Sequence, residues 1–344
     1  GALWATAYEL LLQEIAGHRT TLVFTNSRYK TERTALRLRE LAQDGQRIGA
    51  HHGSMSRETR LEAEDDLKAG RLDALVATAT LELGIDIGAV DLVCQLESPR
   101  SVSTGLQRVG RAGHLLGATS QGKVMAFERD DLVEAAAIGR AMLARQVDDV
   151  HIPHGCLDVL AQQIAGAVAF ESWDAEELYR LARRAYPYSD LDHDAFTSVL
   201  GMLAGERPFE MAWPPLPLIL WDRATGGLSP ARGSAHVCSM NVGTIPETAE
   251  YEVILSGGKK RVGTVQADFV DDSLHTGDVF VLGSSTWRMM SMDRGRLMVE
   301  PAPGVTPTVP WWHGAVESRT VEAGKQVGEP SVLPSATPPD ATSW

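Results

Sequence analysis

The sequence predicts an α/β fold with a parallel sheet, followed by a winged-helix-like α module and a β-rich domain. Over residues 20–146, short apolar runs alternate with segments of helical periodicity, which is typical of a parallel sheet covered on both faces. After residue 150 apolar side chains recur at helical spacing, and from residue 219 short strand-like runs with glycine turns dominate. The 344 residues exceed one ordinary core, so the chain should form two or three domains.

The first domain is expected at 18–150, preceded by an amphipathic linker helix at 1–17. Its strands are predicted at 21–25, 47–51, 73–78, 90–95 and 123–127, and its helices at 28–42, 56–69 and near 80, 102 and 130. Ser56 is a favourable N-cap and Gly70 a stop for the 56–69 helix, with Leu61 and Leu67 inward. Because ligands bind at the carboxyl ends of parallel strands, we expect a site where the loops after the first, third and fourth strands meet.

Two further domains and a tail follow. The winged-helix-like module is placed at 151–207, with helices at 154–170, 175–185 and 195–203. Four prolines then predict a stiff linker at 208–218. The β-rich domain at 219–318 should form an antiparallel sheet or barrel from strands at 219–221, 251–255, 261–265, 278–282, 287–292 and 296–300. The tail at 319–344 is rich in Gly, Pro, Ser and Thr, which predicts disorder.

Composition limits the class of protein. The three cysteines, Cys94, Cys156 and Cys238, are odd in number and far apart, which argues against a disulfide framework and favours the reducing cytoplasm. No apolar run approaches the roughly 18 residues that span a bilayer, so we expect no membrane partner. The net charge of −13 is unfavourable for binding nucleic acid, but cations concentrate at 108–111 and 259–261, so a basic strip can lie on an acidic body.

The stretch QRVGRAGH at 107–114 places two arginines and two glycines in one short loop. A guanidinium keeps its charge and offers a fork of donors, so Arg108 and Arg111 suit a transferring phosphate. Glycine permits the turns that keep both cations close. Taken alone, the stretch favours a surface loop with solvated arginines.

Two earlier segments bring polar side chains to the ends of predicted strands. Thr25, Asn26 and Arg28 offer hydroxyl, amide and guanidinium donors at a helix start, which suits phosphate binding. Simple helix capping by Asn26 or by its neighbour Ser27 explains the same residues. Thr78 and Thr80 place hydroxyls where they can bind a nucleic-acid phosphate without sequence preference.

Taken in order, TLVFTNSR at 21–28, ATATLELGID at 77–86 and QRVGRAGH at 107–114 resemble motifs IV, V and VI of superfamily 2 helicases. The resemblance implies that residues 18–150 form a second RecA-like motor lobe, whose arginines reach the γ-phosphate of ATP. It assigns Arg111 as the arginine finger, Arg108 as a second cation, and Gln107 to phosphate or catalytic water.

The resemblance also assigns residues around these motifs. Gly84 and Asp86 are implied to contact the nucleotide, with Asp86 on its ribose, whereas an Asx-type cap is the simpler explanation for an isolated Asp. Many members have Arg where this chain has His114, so the role of His114 stays open. A neutral imidazole there can supply one hydrogen bond but no permanent charge.

The stretch HHGSMSR at 51–57 resembles a phosphate-contacting segment of the same helicases. The resemblance implies that His52, Ser54 and Arg57 contact the nucleic-acid backbone. Paired histidines also occur at metal centres, but no cysteine or second histidine pair accompanies these two, so we predict no metal site.

Later segments resemble one helicase family, the large helicase-related (Lhr) proteins. The matching segments are HGCLDVLAQQ (154–163), YPY (186–188), WDR (221–223), GTIP (243–246), GDVFVLGSSTWR (277–288), PAPG (301–304) and PWWHG (310–314). The resemblance covers residues 1 to about 320. It implies an ATP- and Mg²⁺-dependent translocase that moves 3′→5′ on single-stranded DNA and unwinds DNA or RNA:DNA duplexes in DNA repair.

Two residues of these later segments invite physical hypotheses. Trp312, in a loop that Pro310 stiffens, is a candidate to stack on an exposed base, with a place in the core as an equally good alternative. Ile245, ahead of Pro246, is placed to act as an apolar wedge between bases. For three other tryptophans we prefer the core as their location: Trp221, Trp287 and Trp311.

The sequence contains no G-x-x-x-x-G-K-[ST] phosphate loop. We therefore expect the chain alone to bind single-stranded nucleic acid weakly and to hydrolyse no ATP, activity requiring a first RecA-like lobe in cis or on another chain. Residues 1–17 look like the connector from such a lobe, so truncation is the favoured explanation. The alternative is a non-catalytic nucleic-acid-binding or regulatory protein that keeps a helicase lobe as a scaffold.

Overall fold

The computed structural model describes residues 2–42, 45–82, 90–112, 120–206, 216–244, 249–258, 260–293, 295–312 and 318–328. The chain divides into two compact units, Gly1–Asp149 with Thr248–Trp344, and Val150–Glu247. The second unit therefore interrupts the sequence of the first.

The N-terminal part of the first unit is a parallel α/β lobe. In chain order, its described helices and strands are α1 (Ala2–Gly17), β1 (Thr21–Phe24), α2 (Arg28–Leu41), β2 (Ile48–His51), α3 (Arg57–Lys68), β3 (Ala74–Ala77), β4 (Leu92–Leu96), α4 (Val102–Val109), β5 (Gly122–Met125) and α5 (Arg129–Leu143). The strands form one parallel sheet in the order β2-β3-β1-β4-β5. The predicted parallel sheet is confirmed, although the described residues near Thr80 form only a 3₁₀ turn, Ala79–Leu81.

Two details of the helices follow from side-chain spacing. Helix α1 packs Tyr8, Leu11 and Ile15 into the core on one face of the sheet, so the segment predicted as a linker helix is part of this lobe.

Ser56 caps α3 as predicted and Leu67 is buried, but Leu61 is 46% exposed and its predicted inward position is wrong. Leu61 and Leu67 lie about 120° apart around a helix of 3.6 residues per turn, so one face cannot bury both.

The second unit has the arrangement of a winged helix. In chain order, its described elements are α6 (Leu157–Val168), β6 (Trp173–Asp174), α7 (Ala175–Ala182), α8 (His193–Leu203), β7 (Ile219–Trp221), β8 (Gly227–Pro230) and α9 (Ser234–Met240). The three strands form an antiparallel sheet in the order β6-β8-β7, which packs on the helices through Ile219 and Leu228.

This arrangement corrects two predicted boundaries. The β-rich domain does not begin at 219, because β7 and β8 pair with β6 and complete the winged helix. The predicted linker at 208–218 lies within this unit, and at its end the amide of Leu218 donates to the carbonyl of Leu203, 2.8 Å away. Most of that linker lies outside the described residues.

A β-rich part completes the first unit. In chain order, its described elements are β9 (Glu250–Leu255), β10 (Arg261–Gln266), α10 (Ala267–Ser273), β11 (Val279–Leu282), β12 (Ser285–Asp293), β13 (Arg296–Pro301) and α11 (Val321–Val327). The sheet order is β10-β9-β13-β12-β11, antiparallel except for the β13–β9 pair, and Phe269 and Phe280 lie in its core. The predicted β-rich fold is therefore confirmed.

Helix α11 contradicts the prediction that residues 319–344 are disordered throughout. Thr320 caps this helix and Ala323 is fully buried against other residues of the first unit. The Pro-, Ser- and Thr-rich residues after 328, which carried the prediction, lie outside the described residues. In the part of the chain that the structure describes, no helix has both the length and the apolar character required to cross a membrane.

Candidate nucleotide and nucleic-acid interface

The predicted site residues of the α/β lobe lie at the carboxyl edge of its sheet. Phe24, the last residue of β1, is in register with Ala77 of β3 and Gln95 of β4. The amide of Thr25 donates to the carbonyl of Ala77, 2.9 Å away. The loops that begin at Thr25 and Thr78 therefore leave the sheet side by side, as the sequence predicts.

Arg108, in the last turn of α4, is only 2% exposed. Its Nε donates to Glu82 Oε1 at 2.6 Å, and its Nη1 donates to Asn26 Oδ1 at 3.0 Å and to Gln95 Oε1 at 2.7 Å. The guanidinium also lies over the ring of Phe24. Arg108 thus joins the three motif segments within the lobe, and a phosphate would have to compete with Glu82 for its charge. The structure thus gives Arg108 a packing role that the sequence does not predict, and its role as a second cation on the phosphate stays a prediction.

Arg111 and Gln107 are more accessible than Arg108. Arg111 is half-buried, and its amide closes the turn after α4 by donating to the carbonyl of Arg108 at 3.0 Å. Gln107 is exposed. Arg111, the predicted arginine finger, therefore lies just after the end of α4, and the buried Arg108 holds that end of the helix to the sheet.

Four residues assigned from the sequence lie outside the described residues. They are Gly84, Asp86, His114 and Ile245. Their assignments stay predictions.

The first motif segment is largely occupied by contacts within the chain. The hydroxyl of Thr25 is buried and lies 2.7 Å from that of Thr31, which corrects its expected exposure to nucleic acid. Ser27 caps α2 by accepting from the amide of Lys30, so the capping interpretation holds for this serine. Arg28 keeps a side chain that is 40% exposed, and this residue is the cation that the segment offers at the surface.

The HHGS segment forms a joint between the α/β lobe and the β-rich part. His52 is fully buried, and Ser54 is 2% exposed. The carbonyl of Ser54 accepts from the amide of Thr264, and the amide of Ser56 donates to the carbonyl of Val262, so the segment pairs with β10.

These contacts correct the prediction that His52 and Ser54 touch a nucleic-acid strand. His52 Nε2 lies 2.8 Å from Glu32 Oε1, and the hydroxyl of Ser54 accepts from Arg28 Nη1 at 2.8 Å. Both side chains are therefore used in packing two parts of the chain together. Arg57, the third predicted residue, is exposed and stays available.

The neighbouring His51, to which sequence reasoning assigned no role, supports Thr80. Its Nδ1 lies 2.8 Å from Thr80 Oγ1 and its Nε2 lies 3.0 Å from Glu64 Oε1. Burial lowers the pKa of His51 below its ordinary value of 6.5, against the opposing effect of Glu64. Thr80 and Thr78 are half-buried, so His51 holds the Thr80 hydroxyl near the sheet edge. The signal in the sequence is the histidine doublet, whose members point to opposite faces of an extended chain.

Three tryptophans of the β-rich part are half-buried and pack against its core: Trp287, Trp311 and Trp312. Trp311 lies edge-on to Phe269 with ring centroids 6.1 Å apart, and Trp287 donates its Nε1 to the carbonyl of Leu282 at 2.9 Å. Both pack against the β-sheet core as predicted. Trp312 is also half-buried and lies edge-on to the ring of His52, 5.5 Å away. Its stacking on a base stays a prediction.

With the architecture and the site geometry established, sequence comparison gives the class of protein. Residues 4–115 match the family described as helicase conserved C-terminal domain. Residues 140–309 match the family described as large helicase-related protein, winged helix domain. The chain therefore belongs to the large helicase-related (Lhr) family and corresponds to a C-terminal part of a superfamily 2 helicase.

Named relatives agree with this family. The Lhr helicase/uracil glycosylase of Escherichia coli (strain K12) is 36% identical over 96% of this chain, which covers 24% of that protein. The ATP-dependent helicase Lhr-Core of Saccharolobus solfataricus is 38% identical over 94% of this chain, which covers 37% of that protein. The chain thus spans about a quarter to somewhat over a third of the length of these relatives.

Solved structures show the same architecture. The Mycobacterium smegmatis helicase Lhr, bound to single-stranded DNA and AMP-PNP, is 33% identical with a TM-score of 0.65, covering 94% of this chain and 38% of that chain. The DUF1998 helicase MrfA, bound to DNA and AMPPNP, shares the fold at 18% identity with a TM-score of 0.61, over 87% of this chain and 40% of that one.

Proposed function

We propose that this chain supplies the second motor lobe, the winged helix and the β-rich part of an ATP-dependent helicase. The single observation that carries the proposal is the placement of Arg111. It follows the end of α4 at the carboxyl edge of the sheet, where the buried Arg108 ties that helix end to Asn26 and Gln95. The names of the relatives, and the AMP-PNP and single-stranded DNA bound to the Mycobacterium smegmatis protein, support the same function.

In this function ATP provides the phosphoanhydride whose hydrolysis drives movement. The groups that hold its β- and γ-phosphates and Mg²⁺ belong to a first RecA-like lobe in cis. The described residues fit the other half of such a site, because Gln107 is exposed, Arg111 is half-buried beside it, and the fixed charge of Arg111 matches a γ-phosphate. Arg108 acts by holding the end of α4, and Gly84 and Asp86 contact the nucleotide, as the resemblance implies.

The nucleic-acid surface is formed by those candidates that packing leaves accessible. Thr78 and Thr80 offer hydroxyls at the sheet edge, while Arg28 and Arg57 offer guanidinium groups beside the joint with the β-rich part. Such groups bind phosphates without reading sequence. Trp312 adds a stacking surface, and Ile245 acts as a wedge.

The substrate is single-stranded DNA, on which the motor moves 3′→5′ and displaces a DNA or RNA strand during DNA repair. These finer assignments rest on the family resemblance.

A reconstituted motor tests the proposal. The chain is mixed with a first RecA-like lobe, single-stranded DNA and ATP, and the rate of hydrolysis is measured. Arg111→Ala should lower kcat by about 10³-fold, the typical contribution of an arginine finger. The matched control is Arg37→Ala, which removes a guanidinium that is 56% exposed on α2, and it should leave the rate unchanged. DNA-dependent hydrolysis that ignores Arg111→Ala would contradict the proposal and favour the non-catalytic scaffold.

A further inference from the structure

We infer that residues 319–323 form a strap that positions α4, the helix that ends at the arginine loop. The inference rests on the proposed function, because a positioned arginine loop matters only if Arg111 acts on a phosphate. The strap lies far from the phosphate edge in sequence. The contacts described below join it to the turn before α4, to the first turn of α4, to α5 and to Asp148, which follows α5. The strap residues act as positioning residues.

A single carboxylate links the strap to the first turn of α4. Asp148 Oδ1 accepts from the hydroxyl of Thr320 at 2.7 Å, while Asp148 Oδ2 accepts from the amide of Ser103 at 2.8 Å. The first amides of a helix have no partner within the helix, so a side chain that satisfies one of them helps to define where the helix begins. These hydrogen bonds lower the pKa of Asp148 although burial opposes them, which keeps the acceptor ionised.

The strap also holds a backbone conformation that is unfavourable on its own. Arg100 has φ of +68°, in the left-handed region, and directly precedes Ser101, the N-cap of α4. A non-glycine residue in this region persists when surrounding contacts over-determine it. The strap supplies one of these contacts, since the carbonyl of Arg100 accepts from the amide of Thr320 at 3.3 Å. The amide of Arg100 also donates to Ser98 Oγ at 3.1 Å, and Arg100 Nη1 donates to Glu134 Oε1 at 3.2 Å.

The buried carboxylate of Glu134, on α5, binds both the strap and the turn before α4. Its side chain is 5% exposed and pairs with Arg319 through Oε2 at 3.4 Å. The hydroxyl of Ser98 donates to Oε1 at 2.6 Å. Because Arg100 pairs with the same carboxylate, Glu134 keeps a cationic partner when Arg319 is removed. Arg319 therefore adds a second ion pair, which joins the strap to α5.

Apolar packing fixes the strap between the two helices. Ala323 is fully buried in a cluster with Val102 of α4 and with Ile138 and Ala141 of α5. The helices themselves approach closely, because a Cβ added at Gly105 would lie 2.7 Å from Met142 Sδ. The strap therefore closes one end of a tightly packed helix pair.

The consequence for the arginine loop follows from the length of α4. The helix has eight residues and spans about 12 Å, so it behaves as a rigid rod between its two ends. The strap holds the first turn through Ser103 and Val102, and Glu82 holds the last turn through Arg108. If the first turn is released, α4 can tilt about the end that Arg108 holds. The tilt changes the direction in which the Arg111 side chain points.

Hydrogen–deuterium exchange on this full chain tests whether the strap holds α4. Thr320→Val and, independently, Ala323→Asp should speed exchange of the α4 amides about tenfold, the factor implied by losing one hydrogen bond of ordinary net strength. Thr320→Ser keeps the hydroxyl and should restore slow exchange, and Lys325→Ala removes an exposed side chain of the same helix as a control. The amides of β1 should exchange at the original rate in every variant, which shows that the chain stays folded. If the α4 amides exchange at the original rate in both Thr320→Val and Ala323→Asp, the inference that the strap holds α4 is overturned.

ATP hydrolysis with a first lobe and single-stranded DNA tests whether holding α4 matters for turnover. Thr320→Val should lower kcat about tenfold and leave KM for ATP within a factor of two. The substitution misdirects Arg111 but removes little of the binding energy for ATP. Thr320→Ser should restore kcat. If α4 exchange rises but kcat does not fall, the positioning role is overturned while the proposed function stands. If Arg111→Ala also leaves kcat unchanged, the proposed function itself fails, whatever the exchange data show.

Discussion

Glu32, on α2, accepts a 2.5 Å hydrogen bond from the backbone amide of Gly283, which lies 251 positions later in the chain. The same carboxylate oxygen lies 2.8 Å from His52 Nε2. Burial raises the pKa of Glu32, but the hydrogen bonds from His52 and Gly283 and the charge of Arg39 outweigh it, so the pKa is lowered overall. One buried, ionised side chain therefore connects the α/β lobe with the β-rich part.

The turn between β11 and β12 supplies the other half of this connection. Ser284, which has φ of +69°, accepts on its hydroxyl from the amide of Ala50 at 2.6 Å, and its carbonyl accepts from Arg39 Nη1. The turn thus contacts both α2 and β2, the first through its backbone and the second through the Ser284 hydroxyl. These contacts indicate that the β-rich part packs directly against the α/β lobe and is not joined to it only by a flexible linker.

Removing the Glu32 carboxylate should loosen this joint. Glu32→Ala leaves His52 and the Gly283 amide without their shared acceptor, and breaking such a buried pair costs about 3–5 kcal/mol. Glu40→Ala is the matched control on the same helix, since its carboxylate is 41% exposed and pairs only at the surface with Arg37. Its cost should stay below about 1 kcal/mol. Urea denaturation measures both, and equal costs would contradict the buried role of Glu32.

Acid should destabilise the fold through His51. Because burial lowers the pKa of His51 below 6.5, the unfolded chain takes up the proton first as the pH falls. The stability contributed by neutral His51 is therefore fully present above about pH 6.5 and is lost as the pH falls through the folded-state pKa. The urea midpoint should drop between pH 7.5 and pH 5.5, and His51→Gln should flatten this dependence. The exposed His275→Gln should not, and an unchanged slope in His51→Gln would argue against the assignment.

A methyl group at Gly263 should separate the HHGS segment from β10. A Cβ there would overlap the carbonyl oxygen of Ser54, a backbone atom, and lie 3.2 Å from Leu282 Cδ2. Gly263→Ala should destabilise the protein by about 1–3 kcal/mol through overpacking. Gly139→Ala, on α5 with open space around it, should be neutral or stabilising by up to about 1 kcal/mol. Thermal melting distinguishes the two, and a neutral Gly263→Ala would contradict the close approach.

Substitutions at Arg108 and Arg111 should have different effects. Arg108→Ala should mainly lower the free energy of unfolding, and Arg111→Ala should mainly lower the rate of ATP hydrolysis. Arg108→Ala leaves the buried Glu82 unpaired, so it should destabilise the fold by about 3–5 kcal/mol in urea. Replacing both members, by combining Arg108→Met with Glu82→Gln, should recover much of that loss, because no buried charge is then left alone. Arg111→Ala should cost less stability than Arg108→Ala while abolishing most ATP hydrolysis in the reconstituted motor. The reverse order of stability costs would be inconsistent with the observed burial.

Trp312 should contribute to binding of single-stranded DNA. Trp312→Ala removes the stacking surface and should weaken binding by about 5- to 150-fold, corresponding to ~1–3 kcal/mol per stacked base. Trp312→Phe keeps an aromatic ring and should retain most of the affinity. Fluorescence anisotropy with a labelled oligonucleotide measures both, and equal affinity of Trp312→Ala and the unchanged chain would remove the stacking hypothesis.

Local patterns predicted most of the strands and caps. The strands β1, β3 and β4 are buried on both faces, so their sequences are continuous apolar runs that are easily recognised. Ser27 and Ser56 cap α2 and α3 because the capping interaction depends only on the next three residues. The positions of the strand ends likewise predicted that the loops after β1, β3 and β4 share one sheet edge.

Contacts between distant residues were beyond reach of the sequence. Nothing in the local pattern around Glu32 indicates that its carboxylate binds the amide of Gly283, and His52 therefore read as a surface residue. Strand β6 has only two residues, which gives no alternation to recognise, so its partner β8 was assigned to the wrong domain. Helix α11 is short, and its stability depends on burying Ala323 against a surface that the sequence does not reveal.

The interruption of the first unit by the winged helix has a consequence for synthesis on the ribosome. The backbone groups of Ser54 and Ser56 acquire their partners only when β10 has been translated, whereas the winged helix contains all strands of its own sheet. At about 5–20 residues per second, the wait from Ser56 to Thr264 is roughly 10–40 s. During that interval the nascent motor lobe exposes an unsatisfied edge, so chaperone binding at this stage should favour the N-terminal 149 residues over the inserted unit.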